Sequence, residues 1–245
     1  MRVLLTIALL LAVVELAAAD DVPLPRPRPA EAPAAIPEPS ACQLRIAGTR
    51  AMIDSLPPLV GPGACGAPDV VRLDAVIMPD HSRVTLVPPP TLRCTMAEAI
   101  ADWVRAEFGA AAGSLGAPLA SIENYDSYDC RGMNRVVGAK LSEHGKANAL
   151  DIRSVKLVDG RVIQLTPVTV PRAFRERIRE TACARFMTVL GPGSDGYHEE
   201  HVHVDLAERH GDYRICQWDI REPVETAGVP LPRPRPYTLS AGPRL

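Results

Sequence analysis

The chain carries almost no net charge, because 27 lysines and arginines stand against 29 aspartates and glutamates. Proteins that bind nucleic acid usually present a strongly basic face, so this balance gives no support to a nucleic-acid partner. Long apolar runs are also scarce. Beyond the N-terminus, no segment of the sequence is apolar enough to cross a bilayer. These absences argue against nucleic-acid binding and against a stable membrane span in the body of the chain.

The chain also lacks any C-x-x-C pair, which argues against a zinc–thiolate cluster. An even number of cysteines in an exported chain favours disulfides. Sequence alone cannot choose among roughly fifteen pairings of six cysteines, and free buried cysteines are the alternative. The simplest scheme pairs neighbours along the chain. It predicts the bonds Cys42–Cys65, Cys94–Cys130 and Cys183–Cys216.

Export is indicated by the N-terminus. Arg2 precedes the apolar run VLLTIALLLAVV, and AAAD then offers small residues for cleavage after Ala19. This run is short for a membrane span, so residues 1–19 are predicted to be a signal peptide directing the chain to the periplasm or cell envelope. An uncleaved membrane anchor is the alternative.

Proline is abundant, with 25 residues, and is concentrated near the two ends. Residues 20–40 are predicted to form a Pro-rich linker, and residues 222–245 a Pro-rich tail. The octapeptide VPLPRPRP occurs in both, at Val22–Pro29 and Val229–Pro236. Such arms favour the polyproline II conformation, and we expect them to act as solvated spacers. The alternative is an unknown partner, such as an anionic wall polymer or a Pro-binding module.

The intervening residues 41–221 are predicted to form one α+β domain. VVRLDAVIM and RVTLV have the character of strands, and PRAFRERIRETACARF that of a helix. TMAEAIADWVRAEFG predicts another helix, with a capping box of Thr95 and Glu98 and an end at Gly109. VKLVDGRVIQL predicts a hairpin with a type I′ turn at Asp159–Gly160. Hairpins with segregated helices favour α+β over a doubly wound sheet.

Two polar stretches predict a metal site. HEEHVHVDL holds His203 on a predicted strand, and SEHGKANALDI holds His144 and Asp151. A fully extended chain would separate the latter two by roughly 23–25 Å, so the small residues between them must allow a turn. We expect His144, Asp151 and His203 to bind one zinc ion. Structural histidines satisfied by hydrogen bonds are the alternative.

Three protein ligands plus water are typical of catalytic zinc, whereas closed structural sites use four. Zinc makes its water a nucleophile near neutral pH, and a base must accept the proton. Glu200 and His201 are both candidates. Glu200 is favoured, although strand geometry places it opposite His203, so this role requires a bend or bulge. Asp205 is expected either to orient a histidine or to be a surface carboxylate.

These motifs resemble known families. SEHGKANALD is similar to the S-x-H-x-x-G-x-A-x-D pattern of the zinc D-Ala-D-Ala carboxypeptidases, with Ala147 in place of the glycine. Glu200 with His203 resembles their E-x-x-H motif, and His201 with His203 resembles H-x-H. SYDCRGMN resembles their S-x-Y-R-S segment. The ordered motifs across residues 42 to 216 most closely resemble the bacterial extensin-like C-terminal domain family.

The resemblance implies an antiparallel sheet with helices packed on one side, as in the Hedgehog/DD-peptidase fold group. It implies a zinc metallopeptidase, DD- or LD-type, that cuts a peptide bond in peptidoglycan stem or cross-link peptides. Arg131 would bind the substrate carbonyl or carboxylate. The alternative function is a non-catalytic, zinc-containing module that binds the cell wall or acts as a scaffold.

Overall fold

The computed structural model describes residues 38–222. The predicted signal peptide, most of the linker and nearly all of the Pro-rich tail lie outside these residues. The helices of the described region are α1 (Ala41–Ile46), α2 (Cys94–Trp103), α3 (Gly109–Gly113) and α4 (Arg172–Arg185). None of these described helices has the length and apolar character needed to cross a membrane.

Twelve strands accompany the helices within residues 38–222. They are β1 (Ala51–Leu56), β2 (Leu59–Val60), β3 (Gly66–Ala67), β4 (Val70–Ile77), β5 (Arg83–Val87), β6 (Thr91–Arg93), β7 (Leu119–Asp126), β8 (Ala149–Leu157), β9 (Val162–Gln164), β10 (Thr188–Leu190), β11 (Val202–Asp205) and β12 (Ile215–Gln217). The strands predicted from VVRLDAVIM and RVTLV are confirmed as β4 and β5. The α+β class is confirmed.

The main sheet has ten strands, with the path β1-β4-β5-β7-β8-β11-β10-β12, while β6 pairs with β4 and β9 with β8. Most pairs are antiparallel, but β5 pairs with β7 in parallel, and so does β10 with β12. The expectation of a wholly antiparallel sheet is therefore wrong. The long connection from β5 to β7, which contains β6, α2 and α3, returns the chain in the same direction.

All four helices contribute to a single apolar cluster against one side of the sheet. Strand alternation builds the sheet's share of this core, because Leu150 and Ile152 of β8 and Val202 and Val204 of β11 are fully buried in it. The residues between them on these strands point to the opposite face.

The long helix predicted after β6 is present, but both of its predicted ends are wrong. Its N-cap is Arg93, which makes no side-chain capping bond, and Glu98 instead accepts hydrogen bonds from Arg45 at 2.8 and 3.0 Å. At the other end the chain stays helical, with a π-helical stretch over Val104–Phe108 followed by α3. Gly109 leaves room for Met78, which a Cβ at this position would approach to 2.5 Å.

The second predicted helix is confirmed as α4, which buries Phe174, Ile178 and Ala182. The predicted hairpin joins β8 to β9, but its turn is not type I′. That turn needs positive φ at both central residues, whereas only Gly160 of the pair has one, at 91°. Gly160 donates its N–H to the carbonyl of Leu157, which closes a longer loop.

Three disulfides join Cys42 to Cys94, Cys65 to Cys130, and Cys183 to Cys216. The prediction of disulfides and of the Cys183–Cys216 pair is confirmed, while Cys42–Cys65 and Cys94–Cys130 are wrong. Nearest neighbours along the chain fail here because tertiary packing brings α1 against the start of α2. It likewise brings the β2–β3 turn against the loop that follows β7.

Candidate metal centre

His144 lies on a one-turn 3-10 helix, Glu143–Lys146, just before β8. The hydroxyl of Ser142 caps this turn by accepting a hydrogen bond from the backbone N–H of His144 at 3.3 Å. Ala147 ends the turn in the left-handed conformation, at φ 52° and ψ 31°. Glycine is favoured in the left-handed conformation, and alanine occupies it here.

Asp151 and His203 come from two neighbouring strands. β8 and β11 are antiparallel, and their register pairs Asp151 directly with His203. Directly opposed residues on one face of an antiparallel pair bring their Cβ atoms to about 4.5–5.5 Å. The turn that carries His144 leads straight into β8, so its imidazole reaches the same point.

The three side chains converge on one small volume. The Nδ1 atom of His203 lies 2.8 Å from Oδ1 of Asp151 and 3.2 Å from Nε2 of His144. Nε2 of His144 lies 3.3 Å from Oδ1 of Asp151. All three residues are buried. Cys42, Asp69 and Cys94 also lie close together, but the two sulfurs form a disulfide and offer no thiolate.

The outer nitrogen of each histidine has its own acceptor. Nδ1 of His144 donates to the backbone carbonyl of Ser127 at 2.6 Å, and Nε2 of His203 donates to Asp205 at 3.0 Å. A carbonyl oxygen can only accept, so Nε2 of His144 presents its lone pair inward. Carbonyl and carboxylate partners of this kind commonly orient metal-binding histidines. Asp205 also accepts the N–H of Ala207 at 2.9 Å, so it orients a histidine and caps a turn.

The charges of the cluster are strongly coupled. Burial by itself would raise the pKa of the Asp151 carboxyl, but hydrogen bonds from His144 and His203, when each ring carries both of its protons, outweigh burial and hold that pKa well below its ordinary value. Burial by itself would lower the pKa of His203, but hydrogen bonds to Asp151 and Asp205 raise it to about 10. The two carboxylates thus favour positive charge at this point.

A cavity of about 650 Å³ opens beside the three residues. His201 and Arg131 line it together with them. Nε2 of His201 lies 3.4 Å from Oδ2 of Asp151, and burial lowers the pKa of His201. Arg131 donates to Asp126 at 2.8 Å and to Asp129 at 3.1 Å, so two carboxylates fix its guanidinium at the cavity wall.

Glu200 does not join this group. Its side chain is exposed and lines a second cavity together with Glu199. β11 begins at Val202, and the residues immediately before it form a bend rather than strand. The bend leaves His201 facing Asp151 and directs Glu200 away. The structure therefore places His201, but not Glu200, beside the candidate ligands.

His198 is a further buried residue that lines the same cavity. Its ring centroid lies 5.1 Å from that of His201 and 5.6 Å from that of His203. Asp195 holds it through a 2.7 Å contact to Nδ1. The only signal in the sequence was the density of histidines in HEEHVHVDL. No spacing rule connected Asp195 to the ring.

In a comparison with protein families, the family described as extensin-like protein C-terminus matches residues 40–217. The chain belongs to the extensin-like protein C-terminus family. The extensin-like domain contains all six cysteines, His144, Asp151 and His203, so the candidate centre is part of the region that defines the family match. No curated protein and no solved structure matched the chain.

Proposed function

We propose that this extensin-like domain is a zinc-dependent peptidase that hydrolyses a peptide bond in peptidoglycan stem or cross-link peptides. The main support is the convergence of three donor atoms, none more than 3.3 Å from another, at the wall of a cavity of about 650 Å³. The resemblance of both motifs to the zinc D-Ala-D-Ala carboxypeptidases supplies the substrate class.

The donor set suits zinc. Two imidazole nitrogens and one carboxylate oxygen are typical of catalytic zinc sites, which keep a further position for water or substrate. His144, Asp151 and His203 would hold the ion, with Ser127 and Asp205 fixing the two rings. When bound, zinc polarises a scissile carbonyl and lowers the pKa of water.

His201 is assigned as the proton carrier. It lines the same cavity as the three ligands, and its Nε2 lies 3.4 Å from Asp151. An imidazole at this position can take a proton from the attacking water and return it to the leaving amine. Glu200, the other candidate from the sequence, lines a different cavity. His201 is therefore preferred over Glu200 because of its position in the structure.

Arg131 is assigned to the substrate. Nε and one terminal nitrogen of its guanidinium are engaged by Asp129 and Asp126, which leaves Nη1 for a substrate carbonyl or carboxylate. Held in this way, the guanidinium loses little freedom on binding and places positive charge where negative charge develops during hydrolysis.

The cell envelope is the proposed location. Three disulfides favour an oxidising compartment, in agreement with the export signal predicted at residues 1–19. The two Pro-Arg arms would act as spacers that let the domain reach its substrate.

The test is digestion of purified peptidoglycan with the full chain, with and without a chelator, followed by mass analysis of the products. We expect new peptide termini that disappear with chelator and return with added zinc. His201→Gln should retain zinc but lose the product, whereas His210→Gln, at an exposed position, should behave like the parent. A chain that retains zinc and cuts no muropeptide would instead support the non-catalytic wall-binding module.

A further inference from the structure

A second cavity, of about 390 Å³, lies next to the candidate metal centre, and the mechanism above does not use it. Its wall carries charges of both signs. The charged residues are Arg153, Arg175, Arg221, Glu199, Glu200 and Asp219. Only one pair among them forms an ion pair within residues 38–222, namely Arg221 with Glu199 at 3.4 Å.

Two guanidiniums of this wall are incompletely paired within the described chain: Arg175 has no carboxylate partner, and Arg153 has only a long ion pair with Glu123. Arg175 is 1% exposed, and its Nε and Nη2 donate to the backbone carbonyls of Val170 and Arg221 at 3.1 and 3.0 Å. Arg153 has a buried Nε without a hydrogen-bond partner in the described residues, and its nearest carboxylate, that of Glu123, is 3.8 Å from Nη1. Buried cations are normally paired, so the guanidinium of Arg175, which is buried without a carboxylate partner in the described residues, suits the wall to an anionic group.

Two carboxylates of the same wall are equally free. Glu200 and Asp219 form no ion pair with the described residues, although three arginines share their cavity. Charges of opposite sign close to one another would ordinarily pair. Glu200 and Asp219 are exposed and line the same cavity as Arg153 and Arg175, so this cavity offers groups that can bind an anion and groups that can bind a cation.

The second cavity adjoins the candidate metal centre. Arg153 follows Asp151 by two positions on β8, which places the two on one face at a separation of roughly 7 Å. The guanidinium of Arg153 stacks 3.7 Å above the ring of Tyr125, and that ring lies 4.9 Å from the ring of His201. In an extended peptide, about two residues span the roughly 7 Å that separates Asp151 from Arg153.

We propose that the second cavity binds a zwitterionic amino-acid group, one ammonium with one carboxylate, close to the peptide bond that is cut. Arg153 and Arg175 would bind the carboxylate, and Glu200 and Asp219 the ammonium. This inference rests on the proposed peptidase function, and it names the substrate feature that the enzyme selects. Two sources carry this chemistry: the side chain of a diamino dicarboxylic acid within a peptide, or a free amino acid.

Isothermal titration of the full, zinc-loaded chain tests the proposal without requiring hydrolysis. One probe is meso-2,6-diaminopimelate acetylated and amidated at one end, which leaves one zwitterionic end. Nα-acetyl-lysine amide offers only the ammonium, and N-acetyl-2-aminopimelate amide only the carboxylate. We expect the first to bind at least about tenfold more tightly than either comparator, since each comparator lacks one charge-assisted contact. Equal binding of all three would overturn the proposal.

Two variants locate the site. Arg153→Met and Glu200→Gln should each weaken binding of the zwitterionic probe about tenfold or more. Arg177→Met and Glu180→Gln are matched controls, because both residues are exposed on α4, and they should leave binding unchanged. Near-ultraviolet circular dichroism verifies that both variants fold. Arg153→Met removes the stacking of Arg153 on Tyr125, whereas Glu200→Gln leaves that contact intact and so tests the cavity separately. Parental affinity in both variants would overturn the proposal.

Two further readouts complete the design. D-Alanine, a free amino acid, serves as an additional probe. If it binds as tightly as the diaminopimelate derivative, the cavity takes free amino acids; if it binds more weakly, the cavity takes the side chain. Either result supports a zwitterion site. Muropeptide digestion is scored separately. Probe selectivity without cleavage would refute only the peptidase, whereas cleavage with no probe selectivity would refute only the cavity's role.

Discussion

Two neighbouring cross-strand pairs in the middle of the sheet have almost the same backbone and burial but opposite chemistry. Ile152 pairs with Val202 on the face that packs against the helices, and Asp151 pairs with His203 on the other face. All four side chains are buried. The comparison teaches that strand alternation lets one pair of strands serve the core and the candidate metal centre at once.

The energetic roles of the two pairs differ. Complete burial of a valine or isoleucine side chain stabilises a fold by about 1.5–3 kcal/mol. Buried charges stabilise little or nothing on balance, because desolvation opposes their attraction. Asp151 and His203 are therefore explained by what they bind, and Ile152 and Val202 by the stability of the fold.

The largest effect is expected from Asp151→Asn. The amide is isosteric and can still accept the hydrogen bond from His203, so the fold should persist. Structural sites with four ligands bind zinc with a free energy of about 10–16 kcal/mol, or roughly 3 kcal/mol per ligand. Loss of one ligand should therefore lower the zinc affinity by about a hundredfold or more. Competition with a chromophoric chelator measures this affinity. An unchanged affinity would remove Asp151 from the ligand set.

The opposite result is expected from Ile152→Ala, one residue along the same strand. Loss of its buried side chain leaves a cavity and should lower the free energy of unfolding by about 2–5 kcal/mol. Zinc bound per folded chain should be unchanged. Urea unfolding of the chelator-treated chain measures the loss. A weaker zinc affinity in folded Ile152→Ala would show that the two faces are not independent.

A smaller effect is expected from Asp205→Asn, which keeps the shape of the group that holds Nε2 of His203 but removes its charge. Changes of such outer partners typically weaken metal binding by about 10–100-fold. The same chelator competition measures it, with Glu208→Gln, an exposed lining residue, as the matched control. A loss as large as that in Asp151→Asn would instead identify Asp205 as a direct ligand.

The smallest effect is expected from Ala147→Gly, in the turn that positions His144. Glycine removes the steric strain of an alanine in the left-handed conformation, which stabilises the fold by about 1–2 kcal/mol. The substitution also removes a buried methyl, which destabilises the fold by about 0.8 kcal/mol. Glycine gives the unfolded chain more conformational entropy, which destabilises the fold by about 0.4–1 kcal/mol more. These effects nearly cancel, so the free energy of unfolding, measured by thermal denaturation, should change by no more than about 1 kcal/mol. A large destabilisation would show that the Ala147 methyl is essential to the packing.

Local patterns of the sequence predicted what local physics decides. The strand alternation of HVHVDL and the apolar spacing of α4 predicted real elements, and the two polar stretches do meet at one point. Features set by distant contacts were missed. Glu98 pairs with Arg45 rather than capping its own helix, and two cysteine pairs follow the packing of α1 and of the β2–β3 turn. Glu200 lies away from His203, as strand alternation alone predicts, and the bend before β11 does not bring it into the candidate centre.

The ligand shell of zinc in the purified chain tests the central claim most directly. X-ray absorption at the zinc edge, combined with elemental analysis, reports the ion's stoichiometry and its neighbours. We expect one zinc per chain, with nitrogen and oxygen neighbours at about 2.0–2.2 Å, an imidazole signature from two histidines and no sulfur shell. The double variant His144→Ala/His203→Ala should lose the ion. A chain that takes up no zinc, or a double variant with the parental spectrum, would contradict the account.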